Sequence, residues 1–324
     1  MKNKLAKPFL KWAGGKTRLL KQFELFFPYE LKSGKIQKYI EPFLGSGAVF
    51  FHIAQKYKIK SASLIDRNED LILTYKVLQE NADDLCDELE KLSKKYHALN
   101  QNKKEKFFYE TREKFNKVKP LIDYKLFNSL WINRAAQVIF LNKTCYNGLF
   151  RMNKKGDFNT PFGKYLNPTI FDCENLQNVS RLLQVAELKS GDFHIAQHDL
   201  SSKTFIYFDP PYRPLNKTSN FTAYSKHEFN DEEQIRLAKL FYGLSKTVNV
   251  KLMLSNSDPK NENKNDSFFE KLYKGFAIHE VLSSRSINSN GAKRGKIKEL
   301  LVLNYSMDSD SKHIDDSKQL KLFV

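Results

Sequence analysis

Cysteine is scarce in this chain. Only Cys86, Cys145 and Cys173 occur among 324 residues, far apart and odd in number. No C-x-x-C pair exists, so neither a cysteine zinc site nor a disulfide framework is expected, and no metal is. That usage fits a reducing cytoplasm. Long apolar runs are missing too. No stretch approaches the ~20 residues needed to span a bilayer, and the basic N-terminus lacks the apolar core of a signal peptide. No membrane partner is expected. Acidic residues are outnumbered, with 37 Asp and Glu against 54 Lys and Arg, a formal net charge of +17. Such an excess favours a polyanionic partner, most simply nucleic acid. A genome biased toward lysine would produce the same excess, so the charge informs only where lysines flank reading or catalytic residues. Internal repeats and low-complexity segments are also lacking. What is present is an ordinary globular balance, 41% hydrophobic and 28% charged, in a length suited to one large or two ordinary domains.

Strand and helix patterns alternate at the start. Lys38 to Pro42 reads as a strand end, followed by the turn Phe43-Leu44-Gly45-Ser46-Gly47 and a helix from Ala48 to Tyr57. A second strand, Ser61 to Ile65, ends on Asp66, and a helix from Glu69 to Gln79 follows. This order begins a doubly wound α/β sheet. Residues 83–140 are helical in pattern, and Tyr146 to Tyr165 reads as a hairpin whose turn, Asn153 to Asp157, contains Gly156 to supply positive φ. Alternation resumes near residue 172, with a helix from Leu176 to Val185 and strands at Phe193 to Gln197, Thr204 to Phe208, Val250 to Leu254, Phe276 to Leu282 and Glu299 to Tyr305. Asp231 is the expected N-cap of the helix near it. Residues 70–170 are expected to form an inserted subdomain, 1–69 and 171–306 the main domain, and 307–324 a polar tail.

Gly15-Lys16-Thr17 resembles the end of a phosphate-binding loop. That motif requires a glycine where this chain has Leu10, and a buried strand before it. A glycine turn starting a helix from Thr17 to Phe27 reads better. Gly45 and Gly47 sit at the carboxyl end of a strand, where open α/β sheets bind ligands. Asp66 ends the next strand, roughly 20 residues on, where such folds hold ribose hydroxyls. A tight turn and a helix N-cap are the plainer alternatives. Asp209-Pro210-Pro211-Tyr212 follows an apolar strand and carries the strongest signal. The prolines impose a stiff extended turn. The Asp209 carboxylate and the Pro210 carbonyl can then converge on one amino group, and the Tyr212 ring can stack on a planar base.

With these motifs the chain resembles the Dam-type DNA adenine N6-methyltransferases of the D12 class. The resemblance runs through FLKWAGGK at 9–16, EPFLGSGAVF at 41–50, YNGLFRMNKKGDFNTPFG at 146–163, DPPY at 209–212, NFTAY at 220–224 and SRSINSNGAKRGK at 284–296. It implies a mostly parallel, seven-stranded sheet binding S-adenosylmethionine, with a helical and hairpin target-recognition insert. It implies that Trp12, Lys16, Asp66 and Asp209 contact the cofactor, beside Gly45 and Gly47. It implies double-stranded DNA as partner, with Tyr146 wedging into the duplex beside Asn147. Leu149, Arg151 and Pro161 would read base edges, and Lys11 and Tyr165 would lie near the first guanine. The hairpin is most similar to that of enzymes methylating GATC, although relatives with other GAT-containing sites keep a similar one. Phe150, Met152, Thr160 and Asn216 stand where relatives vary. A cognate restriction endonuclease acting separately is one implied setting; a solitary enzyme marking DNA is the other.

The implied chemistry needs no metal, because a sulfonium already activates the methyl. The adenine must leave the stack. Asp209 and the Pro210 carbonyl would bind its amino hydrogens, localise the lone pair and stabilise the developing charge. Lys293, Arg294 and Lys296 form one candidate phosphate patch, with a solvated loop as the alternative. A methyltransferase acting on protein glutamine or RNA could use a similar turn, and a DNA-binding protein without turnover could keep the hairpin. The motif order argues against the first, and intact Asp66 and Asp209 against the second.

Overall fold

The computed structural model describes residues 5–201, 203–213, 229–284 and 296–307. Its strands are β1 Lys38–Glu41, β2 Ser61–Asp66, β3 Ala186–Ser190, β4 Thr204–Phe208, β5 Val250–Ser257, β6 Ala277–Ser284 and β7 Lys296–Leu303. Its helices are α1 Leu20–Phe26, α2 Tyr29–Lys32, α3 Ala48–Lys56, α4 Glu69–Glu80, α5 Ala82–His97, α6 Gln101–Val118, α7 Leu130–Thr144, α8 Cys173–Leu183, α9 Asp231–Ser245 and α10 Phe268–Leu272. Asn216, the NFTAY segment, Lys293, Arg294 and the tail from residue 308 lie outside the described residues, as does the side chain of Lys296.

The strands form one sheet in the order β3-β2-β1-β4-β5-β7-β6. β1 to β5 pair in parallel, and β7 runs antiparallel between β5 and β6. Side chains alternate between two cores, as period-2 geometry requires. Tyr39, Leu64, Phe205 and Tyr207 face one layer. Ile40, Ile65, Ile206 and Phe208 face the other, under α9. Strand order reverses between β1 and β4, which opens a crevice beyond their carboxyl ends.

Helices α4 to α7 and the hairpin lie between β2 and α8 in the chain. Their anchor is a buried ion pair: Arg134 of α7 donates to both Asp70 oxygens of α4, at 2.7 and 2.9 Å. The Tyr124 hydroxyl donates to the same carboxylate at 2.8 Å, and the guanidinium lies 3.4 Å from the Phe115 ring centroid.

Several sequence expectations need correction. Phe193 to Gln197 is no strand. Phe193 and Ile195 alternate as a strand would, but Asp192 accepts from the His194 amide at 3.0 Å, and the backbone tightens into a 3₁₀ turn, Phe193–Asp199. The true strand, β3, sits at the sheet edge and carries Glu187 and Lys189, which hide its pattern. α1 starts at Leu20, and residues 13–14 and 17–19 form turns. Asn230, one residue earlier than expected, caps α9 through the Glu233 amide at 3.1 Å. The cysteines differ most. Cys86 of α5 is disulfide-bonded to Cys173 at the start of α8, across a sequence separation of 87. Sequence spacing does not reveal that pairing, because packing of α5 on α8 creates it. Cys145 is free and buried, and burial pushes its thiol up to about 12.

Candidate active site

Three carboxylates end the strands around the crevice. Asp66, at the end of β2, accepts from the Gly45 amide at 3.0 Å and from the Asn68 amide at 2.9 Å. The cap of α4 is Asn68, which accepts from the Leu71 amide at 3.1 Å, so Asp66 is not the helix N-cap. Burial raises its carboxyl pKa, against the pull of these amides. Gly45 and Gly47 both adopt positive φ, +48° and +67°. Space forbids a side chain at Gly45 as well: a Cβ there would meet Trp12 Cδ1 at 2.9 Å. The third carboxylate, Glu41, closes β1 and accepts from the Tyr39 hydroxyl at 2.8 Å. Burial lifts its pKa well above the ordinary range, and the nearby Asp209 charge adds to the lift. The role of Glu41 was missed from sequence, although its place beside a Gly-containing turn is a signal for it.

Asp209 follows β4 on the other side of the crevice. Lys16 lies 2.7 Å from its Oδ1, and the Ser255 hydroxyl donates to the same oxygen at 3.0 Å. Burial raises the Asp209 pKa, and Lys16 draws it back down. Lys16 is only 3% exposed, donates to the Gly14 carbonyl at 2.6 Å, and sits 4.6 Å from the Tyr212 ring centroid. Pro210 is buried, and the Pro211 carbonyl accepts from Gln234 at 3.2 Å. Ser255 and Gln234 were missed from sequence, since only folding brings β5 and α9 beside the turn.

The hairpin is irregular. Isolated bridges pair Cys145 with Phe162 and Met152 with Phe158. Gly156 adopts φ +84°, as its turn requires. Tyr146 is 53% exposed and donates its amide to the Pro161 carbonyl at 2.8 Å. Asn147 is exposed in the left-handed region, with its amide donating to the Tyr165 hydroxyl at 3.0 Å. The Leu149 carbonyl accepts from Thr160 at 2.5 Å. Exposed Arg151 donates to Asn159 at 2.9 Å. Lys11 extends over the Tyr165 ring, 4.8 Å from its centroid. Residues 11–16 therefore run between the two regions. Lys11 meets the hairpin, Trp12 stacks on Phe150 with centroids 5.7 Å apart, and Lys16 reaches Asp209. Asn142, fully buried and missed from sequence, ties this run down. It accepts from the Lys11 amide at 2.8 Å and donates to the carbonyls of Lys11 and Gly148 at 2.7 and 2.9 Å.

The sequence profile of the D12 class N6 adenine-specific DNA methyltransferases matches residues 12–287. The chain belongs to this class. A Type II methyltransferase of Methanocaldococcus jannaschii, M.MjaIII, is 52% identical over 300 residues, covering 92% of this chain and 99% of the relative. A Type II methyltransferase of Lactococcus lactis, M1.LlaDCHI, is 35% identical over 307 residues, 94% of this chain and 98% of the relative. The DNA adenine methylase of Escherichia coli K12 is 32% identical over 295 residues, 91% and 94% of the two chains. A D12-class enzyme methylates adenine at N6 in DNA, and its methyl donor is S-adenosylmethionine. That donor is a cation. Acidic Asp66 and Asp209 stand at the crevice and suit it in charge. Among the described residues, no group of three His, Cys, Asp or Glu side chains could hold a metal ion, and no helix is long and apolar enough to cross a membrane.

Proposed function

We propose that this D12-class methyltransferase is site-specific, acts on double-stranded DNA in the cytoplasm, and methylates the adenine of GATC after flipping it from the helix. Residues 1–69 and 171–306 supply the catalytic domain, and 70–170 the target-recognition subdomain. The observation that carries the reading is the arrangement at Asp209. Lys16 and Ser255 both occupy Oδ1, and Oδ2 is the oxygen that these two donors do not use. A buried carboxylate tends to protonate, and the adjacent ammonium opposes that. Asp209 thus keeps an acceptor for the adenine amino group, with the Pro210 carbonyl as the second. Accepting both hydrogens concentrates the lone pair on N6 and stabilises the charge that develops there. Tyr212 stacks on the base. S-adenosylmethionine supplies a methyl already activated by its sulfonium. Asp66 holds the ribose, Trp12, Gly45 and Gly47 shape the crevice, and Lys16 lines it.

On the DNA side, Tyr146 and Asn147 enter the duplex, and Leu149, Arg151 and Pro161 face base edges. Lys11 and Tyr165 attend the first guanine. The exposure of Tyr146 and Arg151 supports these roles, as does the net charge of +17. Two relatives bear the name Type II methyltransferase, which favours a setting where a separate restriction endonuclease cuts the same sequence. DNA incubated with enzyme and cofactor, digested with methylation-sensitive nucleases and sequenced at base resolution, tests the reading. Methyl groups on adenine in GATC are expected; modification at another sequence would overturn the GATC assignment.

A further inference from the structure

Glu299 takes part in none of the steps above, yet it is 6% exposed and stands beside the turn that holds Asp209. It lies on β7, opposite Ser257 of β5 and Val281 of β6, so the strand carrying it is paired on both sides. Its Oε2 accepts from the Tyr212 hydroxyl at 2.5 Å. Among the described residues, no Lys, Arg or His pairs with it. A carboxylate buried without a cation is costly unless its hydrogen bonds repay the loss of water. The bond at hand is the one to Tyr212.

The tyrosine is restrained from three directions. Its backbone follows two prolines, which leave little freedom. The carbonyl before it is held by Gln234, which is itself bonded to Asn256 at 3.2 Å. The ring has the Lys16 ammonium 4.6 Å from its centroid. Those contacts fix the root of the side chain and what covers one face of the ring. The hydroxyl lies on the line of the Cβ–Cγ bond, so its bond to Glu299 fixes where the far end of the ring points.

We propose that Glu299 is a positioning residue, which anchors the far end of the Tyr212 ring and fixes its direction, so that the target adenine stacks with its amino group aimed at Asp209. This rests on the reading of Tyr212 as the stacking platform. Glu299 acts as a hydrogen-bond acceptor, so a glutamine oxygen serves in its place.

The test is a double-mutant cycle in single-turnover methyl transfer, on a duplex carrying the unmethylated target site with saturating S-adenosylmethionine. Tyr212→Phe, which removes one oxygen, and Glu299→Ala are each expected to slow transfer about 10- to 100-fold, with Glu299→Gln within about threefold of the parent. The double variant Tyr212→Phe with Glu299→Ala is expected to be no slower than either single one, because both remove the same bond. Duplex and cofactor affinities stay as in the parent. With 2-aminopurine at the target position, a loosened ring quenches the flipped base less, so both variants fluoresce more brightly. Additive losses, or a Glu299→Gln variant as slow as Glu299→Ala, would overturn the proposal. Should Glu299→Ala fail to fold, full-rate transfer by Tyr212→Phe overturns it alone. The underlying reading has a separate check: Tyr212→Ala that transfers at the parent rate removes the stacking role itself.

Discussion

Asp209 stands at the end of a strand whose five residues are all buried, whereas Arg151 stands exposed on the irregular hairpin, its side chain donating to Asn159. The first side chain is held from two sides before any substrate arrives. On the proposed reading, the second leaves its partner and takes a base edge instead. The contrast follows from the two tasks. Methyl transfer depends on acceptors fixed where charge develops, and any reorganisation there slows the step. Reading a base pair depends on side chains able to exchange a protein partner for a DNA partner at little cost.

The sharpest break of that contrast is Asp209→Ala. Transfer is expected to fall by about 10²–10³-fold or more, while duplex affinity in a filter-binding assay stays near the parent's. Near-parent turnover would remove Asp209 from the chemistry. A comparable free energy is at stake in the scaffold between the regions. Arg134→Ala leaves Asp70 buried without its cation and should cost about 3–5 kcal/mol of folding stability in urea denaturation. Arg151→Ala is milder, and should cost about 1–3 kcal/mol of discrimination at one base pair. An equal loss across all sequences would reduce Arg151 to a phosphate contact. The smallest effect is a shift in pH dependence. The Asp209 pKa is raised by burial and drawn back by Lys16. The working form is the carboxylate, so transfer rises as pH climbs through that raised pKa and is lost below it. Lys16→Met removes the downward pull, and the acid limb of the kcat profile, measured at saturating cofactor, should move to higher pH.

Both regions could be read from sequence where the signal is local. Around the switch point, much of the signal is local. β1, Gly45, Gly47, β2 and Asp66 follow one another within a few dozen residues, and the turn at Asp209 carries its own stiffness in its prolines. The hairpin turn was equally legible, through Gly156. What could not be read depends on distant neighbours. Ser255, Gln234 and Glu299 reach the Asp209 turn only after β5, α9 and β7 pack. Asn142 gains its importance from Lys11, a residue separated from it by 131 positions. β3 was misread because the charges on an edge strand mask its alternation while the turn behind it mimics one. The disulfide was missed for the same reason as Asn142, since cysteine spacing carries no information about helix packing.

The Cys86–Cys173 bond has a consequence for proteolysis. The chain between these residues contains α6, α7 and the whole hairpin, including the exposed Lys154 and Lys155 at its tip. Cleavage at those lysines would leave both fragments covalently joined. A nicked sample would migrate as one species until a reductant released two.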